Sequence, residues 1–83
     1  MNKQTEELLP RVSSVIPESD YYLLLTFTNG ETRRFNTKPL LDYSVYKSLL
    51  NNFDLVKVQY GTTVWPGDVD ISPETLYLQS TPV

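Results

Sequence analysis

An Asn-Gly pair at positions 29 and 30, set between two apolar-rich runs, constrains this chain more than any other feature. Asn and Gly accept the positive φ angles of a tight hairpin, so residues 21–28 read as a strand and residues 31–36 as its return. Two registers are open. A two-residue loop sets Leu24 against Phe35 and leaves Leu23, Leu25 and Phe27 on the other face. A three-residue loop with a bulge at Gly30 sets Leu23 against Phe35 and gathers Leu23, Leu25, Phe27 and Phe35 on one face. A one-residue slip decides which face is apolar, and that favours the second register.

Other segments read around this hairpin. Val12, Val15 and Ile16 make a β-like run that Pro17 ends, and Glu18-Ser19-Asp20 reads as a turn. Pro39 suits the first turn of a helix, and Leu40 and Leu41 continue it. Asp42 or Ser44 could cap the main helix, in which Val45, Tyr46, Leu49 and Leu50 recur at helical spacing before Asn51-Asn52 stops it. Val56, Val58 and Tyr60 alternate with Lys57 and Gln59, as strand residues do. Thr63-Val64-Trp65 and Val69-Asp70-Ile71 read as short strands on either side of a Pro66-Gly67 turn. Ser72-Pro73-Glu74 opens a C-terminal helix, with Ser72 as N-cap. The reading is an α+β fold: a small antiparallel sheet of four to five short strands with a central hairpin, one main helix and a short C-terminal helix. Residues 1–10 read as a flexible arm, 11–78 as a single domain and 79–83 as a tail.

Composition excludes more than it includes. The 83 residues contain no cysteine and no histidine, so disulfides, thiolate metal sites and Cys–His or Ser–His–Asp nucleophiles cannot form within this chain. A net charge of −3 argues against broad nucleic-acid binding, which needs a basic stripe to neutralise phosphates. No apolar run reaches the roughly 20 residues that span a bilayer, and the N-terminal residues lack a signal-peptide pattern. Cytoplasm is the expected compartment.

Three strings then carry a resemblance: Leu23-Leu24-Leu25-Thr26-Phe27-Thr28-Asn29-Gly30-Glu31; Phe35-Asn36 with Pro39-Leu40-Leu41; and Thr63-Val64-Trp65-Pro66 followed by Asp70-Ile71-Ser72-Pro73-Glu74-Thr75-Leu76-Tyr77. Together they resemble the bacterial domain-of-unknown-function 2442 family over nearly the whole chain. Asn36 stands where that family usually has Asp, and the Trp-Pro-Gly-Asp turn is compact where many relatives insert Asn-Gly. The resemblance implies a small α+β fold without an established activity. It also implies kinship with proteins fused to helix-turn-helix domains and with antitoxin-like members of paired gene systems. This chain ends just past the signature, so a regulatory role is expected to run through a partner.

Candidate sites follow. Tyr22, Arg33, Arg34, Trp65 and Tyr77 are the interaction candidates, since Trp, Tyr and Arg are enriched in binding hot spots. Each has a bland reading too: Trp65 as a core plug, and the arginines as strand residues on opposite faces of which one is solvated. Asp68, Asp70 and Glu74 are the secondary candidates for a divalent cation, although they lack the spacing of a calcium loop, and no cofactor is expected. The leading expectation is a non-enzymatic module that binds another small protein, a basic one, with a homodimer as a further option. A nucleic-acid-associated module beside a DNA-binding subunit ranks second, and a carboxylate or metal-dependent enzyme last.

Overall fold

The hairpin forms in the favoured register. In the computed structural model, which describes residues 9–83, β2 (Tyr22–Phe27) and β3 (Thr32–Asn36) pair with Leu23 opposite Phe35 and Thr26 opposite Thr32. Gly30 takes a φ of +88°, and its N–H donates to the Phe27 carbonyl at 2.9 Å. Phe27 N–H donates to the Glu31 carbonyl at 2.9 Å, which closes a three-residue loop. Leu23, Leu25, Phe27 and Phe35 are buried together as a result.

β1 (Val12–Glu18) adds to the other side of β2, with Ile16 opposite Leu24. Pro17 lies inside this strand rather than ending it. The sheet order is β1-β2-β3-β7, so β1 is an edge, where a missing N–H is tolerated. The opposite edge is β7 (Thr81–Pro82), within the residues expected as a tail; Thr81 pairs with Arg34. Of the arm expected over residues 1–10, residues 1–8 lie outside the described part, and Pro10 is buried.

The α+β class holds, and its strands are divided between two antiparallel sheets. The second sheet has the order β4-β5-β6, from β4 (Lys57–Gln59), β5 (Thr62–Trp65) and β6 (Val69–Ile71). Tyr60 and Gly61, at φ +57° and +74°, make the two-residue turn between β4 and β5. At that turn the sheets touch, because Val12 N–H donates to the Gly61 carbonyl at 2.9 Å.

Between the sheets runs a helical segment over residues 38–55. It is not one helix but short 3-10 turns around α1 (Leu49–Asn52), so Asn51 and Asn52 sit inside the helical stretch instead of stopping it. None of its pieces has a side-chain cap bond, which explains why the helical periodicity does not mature into a long helix. α2 (Pro73–Leu78) matches its expected start: the Ser72 hydroxyl accepts the Thr75 N–H at 3.2 Å, with Pro73 in the first turn. No helix among the described residues is long and apolar enough to cross a membrane.

The core gathers Val12, Leu23, Leu25, Phe27 and Phe35 from the first sheet with Leu49, Phe53, Trp65, Ile71 and Leu76. Trp65 is 1% exposed, and its Nε1–H donates to the Phe53 carbonyl at 3.1 Å. Thr63, also fully buried, has a hydroxyl without a hydrogen-bond partner. Replacing Trp65 by Ala is expected to cost about 3–5 kcal/mol, a large share of the stability of so small a domain. Trp65→Phe is expected to cost about 1–3 kcal/mol, as the Phe53 carbonyl loses its indole donor. Thr63→Val keeps the shape and removes the unpaired hydroxyl, so it is expected to stabilise by about 1 kcal/mol. Urea unfolding followed by far-UV circular dichroism checks all three.

Candidate functional site

The turn that joins β1 to β2 holds two consecutive non-glycine residues at positive φ. Asp20 and Tyr21 both take left-handed conformations, at φ +62° and +64°. For Asp this is common, but for Tyr it costs on the order of 1–3 kcal/mol and persists only where neighbours hold it. Residues 36–38 hold it. The Tyr21 carbonyl accepts the Thr37 N–H at 3.1 Å and the Thr37 hydroxyl at 2.8 Å, with Thr37 fully buried. Lys38 Nζ donates to the Asp20 carboxylate at 2.6 Å and to its carbonyl at 3.2 Å, while lying 4.6 Å from the centre of the Tyr22 ring. The Tyr21 ring then meets Phe53 edge-on at 5.2 Å, and its hydroxyl donates to the Leu50 carbonyl at 3.3 Å.

That contact makes a groove of about 320 Å³ between the turn and the helical segment. Glu18, Ser19, Asp20 and Tyr21 form one wall; Leu50, Asn51, Phe53 and Asp54 form the other. The helical segment fully buries only Leu49 and Phe53, while Leu40, Leu41 and Tyr46 pack half-buried against the core. Tyr43, Val45, Leu50 and Leu55 remain 63%, 62%, 46% and 58% exposed. Val45 and Leu50 were expected on the apolar face of a buried helix. The broken turns rotate them outward while Leu49 keeps its place inside. Leu55 borders a second groove, of about 280 Å³, whose other lining includes Lys57, Val64, Pro66 and Asp68.

Charge is distributed unevenly around this segment. The three ion pairs among the described residues, Arg33–Glu31, Arg34–Glu18 and Lys38–Asp20, all belong to the first sheet and its flanks. Asp42, Asp54, Asp68, Asp70 and Glu74 form no ion pair among the described residues, and every one of them lies outside that sheet. Two of the five, Asp42 and Asp54, sit among the exposed apolar side chains of the helical segment.

The structure scatters the residues singled out from sequence. Trp65 is the core plug, so the reading of it as an exposed anchor is corrected: an indole 1% exposed offers no surface to a partner. Arg33 points inward and is committed to the fold. It donates to the Ser80 hydroxyl at 2.7 Å, to the Ser80 carbonyl at 2.8 Å and to Glu31 at 2.9 Å, over the Tyr77 ring at 4.7 Å. Tyr77 is half-buried, edge-on to Phe27 at 5.0 Å, with its hydroxyl donating to Glu31 at 2.9 Å. Neither group is free to meet a partner. Tyr22 and Arg34 instead share the outer face of the first sheet, where Arg34 donates to Glu18 at 2.8 Å. Asp68, Asp70 and Glu74 fall on a turn, a strand and a helix start, and no group of three or more carboxylates among the described residues could hold a metal ion. Sequence reasoning passed over Tyr43, Leu50 and Asp54. Capping residue types are present, and Ser48 holds the N-cap position of α1, but it makes no cap hydrogen bond, so the sequence carried no signal that this face would not close.

Comparison with known proteins gives a family. The sequence model described as protein of unknown function (DUF2442) matches residues 12–82, and the chain belongs to that family. No curated protein and no solved structure matches it.

The Glu31 cluster generates a pH prediction. The Tyr77 hydroxyl, then the Arg33 guanidinium, hold the Glu31 carboxyl below its ordinary value, and Arg34 does the same for Glu18. A depressed carboxylate binds fewer protons folded than unfolded. Its contribution is therefore complete above the ordinary Glu pKa of about 4.3 and is lost as pH falls through the folded value. Glu31→Gln is expected to be less stable than the parent at neutral pH and to lose less stability between about pH 5 and pH 3. Thermal midpoints across that range check it, and parallel curves for the two proteins would contradict the assignment.

Proposed function

For this member of the family we propose a non-enzymatic protein-binding module, working as the antitoxin-like or regulatory partner in a bacterial two-gene system. Its target is a small basic protein in the cytoplasm. The observation that carries this reading is the helical segment. Tyr43, Val45, Leu50 and Leu55 stand exposed on the segment that carries Asp42 and Asp54, which have no ion pair among the described residues, and Leu50 and Asp54 line an open groove. Large apolar side chains supply the area that binding needs, and unpaired carboxylates among them select a cationic surface. A solvated carboxylate beside an apolar anchor favours a Lys or Arg that brings its own aliphatic stem.

The lack of His and Cys supports the non-enzymatic part, together with the dispersal of Asp68, Asp70 and Glu74. Direct nucleic-acid contact has little support. Arg11, Lys47 and Lys57, the cations without an ion pair among the described residues, are spread over three separate stretches and make no stripe.

The test is capture of the tagged protein's partner from its native host lysate at low and high salt. One small basic protein is expected in stoichiometric amount, held more weakly as salt rises. The variants Asp54→Lys and Leu50→Lys are each expected to cut that capture by about tenfold or more, with an unchanged circular dichroism spectrum. A partner held equally well by both variants would place the contact elsewhere, and no partner at low salt would end the reading.

A further inference from the structure

We propose that the uncovered face of the first sheet is a self-association surface, which docks the same face of a second copy of this chain. Alternation in the observed register puts Ile16, Leu24, Thr26, Thr32 and Val83 on this face, away from the core, together with the Arg34–Glu18 pair. None of these side chains is buried, and Ile16 and Val83 are 56% and 69% exposed. Nothing in the chain among the described residues packs over them: the helices and the second sheet all join the core on the opposite face.

Charge selects the occupant. The whole chain carries −3, so two copies repel, and they can approach only where that charge is absent. This face is such a place. Its one guanidinium and one carboxylate are bonded to each other at 2.8 Å, and at its end Lys38 is paired with Asp20. Among the described residues, the carboxylates without an ion pair all lie on other elements. A basic partner has no reason to choose a neutral hydroxyl-and-aliphatic face, whereas a second copy does.

The edges are closed to the alternative geometry. Strand-to-strand addition needs a long regular edge, but β1 carries a register irregularity between Val12 and Ser14 and has Pro17 within it. The other edge, β7, is two residues long and one of them is Pro82. What remains free is the face.

Area sets the strength. Strands of seven, six, five and two residues, about 4.8 Å apart and about 3.4 Å per residue, give a footprint of about 330 Å² per copy. With side-chain relief, two copies bury about 800 Å² in total, short of the roughly 1,000 Å² of a stable contact and in the range of weak encounters. The association is therefore weak and reversible, and it is independent of partner binding on the helical segment.

Sedimentation equilibrium from about 10 μM to about 1 mM reads it. The weight-average mass is expected to climb from monomer towards dimer, and to do so at lower concentration as salt screens the mutual repulsion. That is the opposite of the salt response expected for a basic partner. Ile16→Lys and Thr32→Lys change exposed side chains on this face, and each is expected to keep the chain monomeric throughout with an unchanged thermal midpoint. A parent that stays monomeric at high salt and about 1 mM overturns the proposal. So does a dimer that survives both variants, or one that dissolves instead with Leu50→Lys. Capture of a basic partner by Ile16→Lys is unaffected in every case, so the two readings fail separately.

Discussion

Three aromatic rings in file hold the two sheets together: Tyr21 from the β1–β2 turn, Phe53 from the helical segment and Trp65 from β5. Tyr21 meets Phe53 edge-on at 5.2 Å, and Phe53 lies tilted against Trp65 at 6.1 Å. The Trp65 indole N–H, bonded to the Phe53 carbonyl, fixes the helical segment in position at one end of that file. Rings of this size bury more area per residue than any other side chain, and a small domain has few other sources of stability. The segment is thereby clamped at Phe53 and, four residues earlier, at Leu49. Leu40, Leu41 and Tyr46 add half-buried contacts to the core, while Tyr43, Val45, Leu50 and Leu55 face outward.

The ion pairs deepen that division. Each of the three bonds a residue of the first sheet or its immediate flanks, and two of them hold backbone that could otherwise slip. Lys38 pins the left-handed Asp20, while Arg33 ties Ser80 and hence β7 to β3. With those three pairs neutral, the net negative charge falls on the rest of the chain, where Asp42, Asp54, Asp68, Asp70 and Glu74 outnumber Arg11, Lys47 and Lys57 among the described residues. One side of the molecule is neutral and flat; another is acidic, grooved and studded with apolar side chains. These are different physical environments.

Much of the local structure was legible. Gly30 and the apolar set Leu23, Leu25, Phe27 and Phe35 agreed on one register, since only the bulged loop buries all four. Ser72 with Pro73 announced α2 because a cap and a fixed φ act within one turn of chain. What was not legible depends on contacts between distant residues. Nothing local in residues 57–71 says that those strands pair only among themselves, and the joint at Val12 and Gly61 spans 49 positions of sequence. Pro17 looked like a stop because the sequence does not say that β1 is an edge. For Arg33 and Arg34, alternation gave opposite faces, and Phe35 on the apolar face puts Arg33 there as well; what the sequence does not show is that Ser80 and Glu31 are the partners that let a guanidinium lie inward. In the helical segment, Val45, Tyr46, Leu49 and Leu50 have the right period for one buried face; without caps the turns tighten and that face splits.

The strained turn explains why the acidic groove has a fixed shape. A tyrosine at φ +64° would relax if its carbonyl were free, yet that carbonyl takes two bonds from Thr37, whose side chain is entirely enclosed. Relaxation would have to break both and strand a buried hydroxyl, which costs more than the strain it would relieve. Tyr21 is also the first ring of the aromatic file. The conformation that is unfavourable locally is therefore imposed by the same packing that joins the two sheets. The wall it forms cannot move independently of the core. A groove built this way is preorganised, which lowers the ordering cost of the partner binding proposed for it.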